Sequence, residues 1–390
     1  MLTKNSIIGV VGSGAMGSGI AQVAAAAGHQ VLLYDNSVAA IEKSKTHLQQ
    51  SLKSLVEKNK MTVEKQNQIL ASIQFKQQLA DLGQCHLVIE AIVENADIKK
   101  VVFTELEKHV SLSTVLASNT SSLSITSLAS ACQQTDRFIG IHFFNPATLM
   151  PLVEIIPGIA TSIAVTEQCQ HLIQSWGKTT VVAKDTPGFI VNRVARPFYS
   201  EALRIYEEGI ADIATIDWAM KEIGGFRMGP FELMDLIGHD VNYVVTETVW
   251  KQFYYEPKFK PALAQKRLLE GGFLGKKSGR GFYDYKNPEN NLAAVKDDTL
   301  GKMIVNRVLC MLINEAADAR YYQIASVEDI DLAMTKGVNY PKGLLKWADE
   351  LGLTRVADTL KYLQNFYEED RYRLSPLLKK HLVSGTGFYH

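Results

Sequence analysis

The chain carries no net charge: 41 Lys and Arg balance 41 Asp and Glu over 390 residues. Without a positive field it has little to gather a nucleic-acid backbone or an anionic membrane, so neither partner is expected. Cysteine is scarce. Cys85, Cys132, Cys169 and Cys310 show no C-x-x-C spacing. That argues against a disulfide scaffold or a thiolate metal centre and predicts reduced thiols in a cytoplasmic protein, with no metal. No charged leader with a cleavage site precedes Ile7, so no secretion signal is expected. Membrane-like runs are missing too. Ile7 to Ala27 comes nearest, and its glycines, serines and Gln22 suit a turn better than a membrane span.

What the chain has is 46% apolar residues, enough to bury sizeable cores, and a length that suits two or three domains. Its first apolar run, Ile7 to Val11, leads into Gly12-Ser13-Gly14-Ala15-Met16-Gly17, and Asp35 closes the next run, Val31 to Tyr34. Gly12 permits a tight turn, Gly14 lets the backbone approach a pyrophosphate, and Gly17 lets a helix lie close on the strand. The helix N-terminus offers N–H groups and a positive dipole end to phosphates. Asp35 would accept ribose hydroxyls and repel a 2′-phosphate, which favours NAD over NADP as the cofactor. A strand-to-helix turn with no ligand would use the same glycines. The succession of strand, turn, helix, strand and acid is what favours the dinucleotide.

Further strand-like runs fall at Leu87–Ile92, Thr114–Ala117, Phe138–Phe143, Leu152–Ile156 and Thr180–Ala183, with helical stretches between most of them. This alternation predicts an α/β, Rossmann-type doubly wound sheet over residues 1–186. A long helical insert spans 38–70; on it Ser51 and Lys58 lie seven residues apart and share a face. Thr186-Pro187-Gly188 marks a break, after which Asn192–Glu208, Ile213–Glu222, Phe231–Gln252 and Pro261–Glu270 read as helical, and Asp284–Asp298 as a linker.

The segment after the linker repeats the one before it. Val191-Asn192-Arg193 returns as Val305-Asn306-Arg307, Glu201 as Glu315, Asp217 as Asp331, Gly229 as Gly343, Asp235 as Asp349 and Gly238 as Gly352, each 114 residues on. Gly281-Phe282-Tyr283 returns as Gly387-Phe388-Tyr389, 106 residues on, so the second copy is shorter near its end. One register held this long predicts two tandem all-α domains, 187–295 and 300–390, behind the nucleotide domain.

Open α/β sheets bind ligands at the carboxyl ends of their strands. Glu94, Asn119-Thr120-Ser121-Ser122, His142 and Asn145 gather there. His142 and Glu154 stand equally far from position 148, so a hairpin turning there sets them opposite each other. A carboxylate on one imidazole nitrogen fixes the tautomer and raises the basicity of the other, giving a general base for a hydroxyl proton. A histidine that merely satisfies a carboxylate would show the same spacing. Ser121 and Asn192 are candidate partners for a substrate oxygen, though such residues at strand ends and helix starts are also caps.

These residues carry a resemblance. Gly12–Gln22, Glu90–Asn95, Ala117–Ser122, His142–Pro146, Lys184–Arg193 and Gly275–Tyr283, in that order, resemble the L-3-hydroxyacyl-CoA dehydrogenase family. The run Gly225–Asp235 is similar to the 3-hydroxybutyryl-CoA type and to the 3-hydroxyadipyl-CoA dehydrogenases of phenylacetate breakdown. The resemblance implies NAD-dependent interconversion of an (S)-3-hydroxyacyl-CoA and a 3-oxoacyl-CoA. It implies His142 as base, Glu154 as its orienting partner, Ser121 beside the substrate 3-oxygen and the nicotinamide, and Asn192 completing the site. It implies cofactor contacts at Gly12, Ser13, Gly14, Ala15, Met16, Gly17, Asp35, Glu94, Lys99, Asn145 and Lys277, and acyl-CoA contacts at Ser51, Lys58 and Ser121. Short members lack anything like Leu300–His390 and dimerise through one helical domain. The two copies here are therefore expected to pair within the chain as a pseudo-dimer, with homo-oligomers still open. A β-hydroxyacid dehydrogenase acting on a free acid would want a lysine base and no Ser51/Lys58 insert. A non-catalytic NAD-binding relative would not need Ser121, His142, Glu154 and Asn192 together.

Overall fold

The computed structural model describes residues 2–389. They divide into two compact units between Phe189 and Ile190. The first holds eight strands: β1 Ile8–Val11, β2 Val31–Tyr34, β3 Ile73–Lys76, β4 Leu87–Glu90, β5 Val115–Ser118, β6 Phe138–Phe143, β7 Leu152–Pro157 and β8 Thr179–Val182. Their order in one sheet is β3-β2-β1-β4-β5-β6-β7-β8. All neighbours are parallel except β6 and β7. The chain runs outward from β1 to β3, then returns to β4 on the other side of β1. This reversal is a topological switch point, where such sheets take ligands.

Strands β1, β4 and β5 are buried along their whole length, so they read as continuous apolar runs. Helix α1, Ala15–Ala26, buries Gly17, Ile20, Ala21, Ala24 and Ala25. It shares a core with Ile8, Val10, Leu33, Ile89, Ala117 and Ile141, each large aliphatic contributing about 1.5–3 kcal/mol. The insert is two helices rather than one. Helix α2, Val38–Glu57, anchors itself through Ile41, Ser44, Leu48 and Leu52, spaced three and four apart as one helical stripe. Helix α3, Val63–Ser72, starts afresh where the Thr62 hydroxyl caps the Lys65 N–H. The strand that sequence reading omits, β3, lies at the sheet edge with only Ile73 fully buried.

The second unit is helical, and the repeat has a physical content. Asp217 accepts the N–H groups of Phe231 and Glu232 and the Tyr283 hydroxyl. Asp331 does the same for Leu345, Lys346 and Tyr389. Asp235 takes the Phe282 and Tyr283 N–H groups, and Asp349 those of Phe388 and Tyr389. The expected helix Phe231–Gln252 breaks at Gly238, whose φ is +96°, into Pro230–Ile237 and His239–Gln252. Gly352, with φ +84°, breaks Leu344–Leu351 from Leu353–Tyr367 in the same way. The expected helix Asn192–Glu208 is likewise interrupted, into Val191–Val194 and Arg196–Glu207, with Pro197 in the first turn of the latter.

Candidate active site

The loop from β1 into α1 is shaped for an anion. A Cβ on Gly17 would stand 1.8 Å from the Gly12 carbonyl oxygen, so only glycine lets α1 lie this close. A Cβ on Gly14 would meet nothing within 4 Å, leaving room for a diphosphate. No side chain caps α1 at Gly14, and its first turn carries no acid, so the helix end keeps its positive character. Asp35, just past β2, accepts the Ser13 N–H at 2.8 Å and the Ser13 hydroxyl at 2.9 Å through Oδ2, and the Ser37 N–H through Oδ1. The acid is thereby fixed against the loop, and this donor and acceptor set fits NAD. Asp35→Ala is expected to weaken NAD use and narrow the preference over NADP. The check is kcat/KM for both cofactors, and equal use of the two by the unmutated enzyme would contradict it.

At the ends of β4 and β5 a polar network takes over. Glu90 is fully buried. It accepts the Ser118 hydroxyl and the Ile92 N–H, and pairs with Lys99 at 2.5 Å. Lys99, 1% exposed, also reaches Glu94 at 3.3 Å. Its ammonium thus lies behind Glu94 as a shared counter-ion. Glu94 Oε1 accepts the Thr120 hydroxyl at 2.6 Å, the Ser121 N–H at 2.9 Å, and the Ser121 and Ser122 hydroxyls at 3.3 and 3.1 Å. Burial works to raise the Glu94 carboxyl, but the Lys99 charge and these donors outweigh it and hold it below the usual carboxylate range.

His142 and Glu154 are register partners across β6 and β7. His142 Nδ1 lies 2.7 Å from Glu154 Oε2, with His142 5% exposed and Glu154 fully buried. Phe144 and Phe189 pack on the imidazole at 4.5 and 6.0 Å between ring centres. Asn119, after β5, accepts the Phe143 N–H at 2.8 Å and ties the two strand ends together. Asn145 is exposed in the hairpin loop.

The remaining candidates lie elsewhere. Ser51 is half-buried on α2, and exposed Lys58 caps the end of that helix. Asn192 lies on Val191–Val194 of the helical unit, and Lys277 pairs there with Asp240. Two contributors escaped sequence reading. Glu90 had one signal, an acid ending an apolar strand. Asp185 accepts the Ile125 and Thr126 N–H groups at 2.9 and 2.8 Å, holding the helix start that follows Ser121 and Ser122.

The family model described as 3-hydroxyacyl-CoA dehydrogenase, NAD binding domain, matches residues 7–186. That described as 3-hydroxyacyl-CoA dehydrogenase, C-terminal domain, matches 188–285 and 303–386. The chain belongs to the 3-hydroxyacyl-CoA dehydrogenase family. It is 37% identical to the 3-hydroxyadipyl-CoA dehydrogenase of Escherichia coli (strain K12), with both chains wholly covered. It is 44% identical to the mitochondrial hydroxyacyl-coenzyme A dehydrogenase of Sus scrofa over 71% of this chain and 90% of that one. Among solved structures, 3-hydroxybutyryl-CoA dehydrogenase from Escherichia coli K12 superposes with a TM-score of 0.94 at 37% identity, covering 98% of this chain and 100% of that one. This 3-hydroxyacyl-CoA dehydrogenase is an NAD-dependent oxidoreductase acting on acyl-CoA substrates. No helix among its described residues is long and apolar enough to cross a membrane.

Proposed function

We propose that this dehydrogenase oxidises short (S)-3-hydroxyacyl-CoA thioesters, of the 3-hydroxybutyryl or 3-hydroxyadipyl type, with His142 as the general base. The observation that carries the assignment is the 2.7 Å contact between His142 Nδ1 and Glu154 Oε2. Glu154 keeps a proton on Nδ1 and leaves Nε2 with a free lone pair. As the substrate hydroxyl gives its proton to Nε2, the Glu154 charge stabilises the imidazolium. NAD, when bound, supplies the hydride acceptor. Gly12 to Gly17 and Asp35 would hold its diphosphate and ribose, with Glu94, Asn145 and Lys277 as further contacts. Ser121 and Asn192 would bind the 3-oxygen. Glu94 and its counter-ion Lys99 fix the Ser121 hydroxyl. Free, buried cysteines suit work in a reducing cytoplasm. The direct test mixes enzyme, NADH and acetoacetyl-CoA and follows nicotinamide absorbance. NADH consumption is expected, and none would refute the reading.

Lys58 we assign to a phosphate of the CoA nucleotide, with Ser51 beside it. The lysine is exposed, so screening keeps the effect modest. Lys58→Ala is expected to raise KM for an acyl-CoA, more at low salt than at high, and to leave KM for a truncated pantetheine thioester nearly unchanged. An equal loss on both substrates would place Lys58 elsewhere.

A further inference from the structure

A lysine outside the catalytic assignments grips the loop that separates His142 from Glu154 in sequence. β7 runs antiparallel to β6, and β8 runs parallel to β7. The starts of β7 and β8 therefore lie beside the end of β6, where His142 stands. Lys178 immediately precedes β8, whose Thr179 N–H donates to the Pro151 carbonyl at 2.8 Å. The Lys178 ammonium donates to the Ala147 carbonyl at 2.6 Å and to the Met150 carbonyl at 2.8 Å. Both carbonyls belong to residues 144–151, which join β6 to β7 without helix or strand. The lysine is half-buried. Burial pulls it below the usual lysine range, and among the described residues no charged neighbour offsets that. A desolvated cation without a counter-ion is costly. Two carbonyl acceptors offset part of that cost, because hydrogen bonds from charged donors are the strong ones.

The loop is held from its other side as well. Ala147 is 2% exposed and belongs to the core that α1 shares. A Cβ on Gly19 of that helix would stand 3.1 Å from the Ala147 Cβ. The loop thus lies between α1 and Lys178. Its first residue, Phe144, packs on the His142 ring with 4.5 Å between centres. Glu154 fixes the imidazole at one atom, Nδ1. A ring held at one atom can still swing, since the outer torsion of histidine has only broad preferences. Phe144 supplies the second constraint. We propose that Lys178 is a positioning residue for the general base: by tying down the 144–151 loop it holds Phe144 against His142 and keeps Nε2 aimed at the substrate hydroxyl. The assignment rests on the reading of His142 as the base. A lysine that only stabilised the hairpin would leave the rate alone. A positioning lysine changes the rate of the step in which the base works.

The test is a double-mutant cycle. Lys178→Met keeps an unbranched stem and removes the donors. It is expected to lower kcat by about 10–10²-fold, the scale of a misplaced catalytic group, with KM for the acyl-CoA nearly unchanged. Lys178→Arg keeps a cation with several donors and should recover much of the loss. In a His142→Gln background Lys178→Met should cost nothing further, because the group that it positions is gone. Phe144→Leu asks the same question from the loop and serves even where Lys178→Met does not fold. Its kcat should fall as well, and that loss too should vanish in the His142→Gln background. A lower Tm with unchanged kcat in Lys178→Met, a loss confined to KM for NAD, or losses that simply multiply with that of His142→Gln would overturn the proposal. A crippled His142→Gln beside fully active Lys178→Met and Phe144→Leu would overturn it while leaving the general base intact. Near-normal turnover in His142→Gln would overturn the general-base reading and the Lys178 assignment with it.

Discussion

Replacing His142 with glutamine is expected to lower turnover by about 10²–10⁴, the usual contribution of a positioned general base. Glutamine roughly keeps the reach of the imidazole, and its amide can still donate to Glu154. It cannot take a proton from a hydroxyl. NADH binding, measured by fluorescence titration, should change little, because the nucleotide loop joins β1 to α1 and Asp35 follows β2, whereas His142 lies on β6. Glu154→Gln tests the other half of the pair. Its side-chain amide can donate to Nδ1, which would leave the ring proton on Nε2 and remove the lone pair that the reaction needs. A substantial loss is expected there too, although shape is almost unchanged. Near-normal turnover in His142→Gln would show that the buried pair only satisfies the hairpin.

That pair was legible in the sequence because antiparallel register is arithmetic. Two residues equally far from a turn meet when the strands pair, and His142 and Glu154 do so. The same route failed for Glu90 and Lys99. Their nine-residue separation carries a strand end into the next helix, and nothing in that spacing says that the ammonium ends 1% exposed between two carboxylates. Strand β3 was hidden for a related reason. It is an edge strand with one face toward the core, and Ile73-Gln74-Phe75-Lys76 follows α3 without a glycine or proline to mark the change.

Removing Gly301–His390 is expected to make the remaining chain aggregate or form a new dimer. The two helical copies exchange contacts. Arg193 reaches Glu315, 122 residues on, and Arg307 reaches back to Glu201, 106 residues away. These separations fall equally on either side of the 114-residue repeat, as an approximate twofold axis between copies requires. Lys258 adds 2.7 and 2.6 Å contacts to Glu315 and Asp318, and Arg371 reaches Glu201 at 3.5 Å. Apolar packing follows the same exchange. Helix Asp298–Tyr321 lies so close to the first copy that a Cβ on Gly301 would stand 2.4 Å from Ile223 and 2.9 Å from Trp218. Because the second copy is tethered, its effective concentration is on the order of mM. Truncation would uncover the face it occupies and leave an apolar patch large enough to aggregate or to recruit a second chain. A graded version avoids truncation. Glu315→Gln strips the carboxylate from both Arg193 and Lys258, and breaking a buried pair costs about 3–5 kcal/mol. For a unit of this size that corresponds to a Tm lower by roughly 6–20 °C. Light scattering and thermal melts check both arms. A truncated chain that stays monomeric and as heat-stable as the full protein would contradict the intrachain pairing.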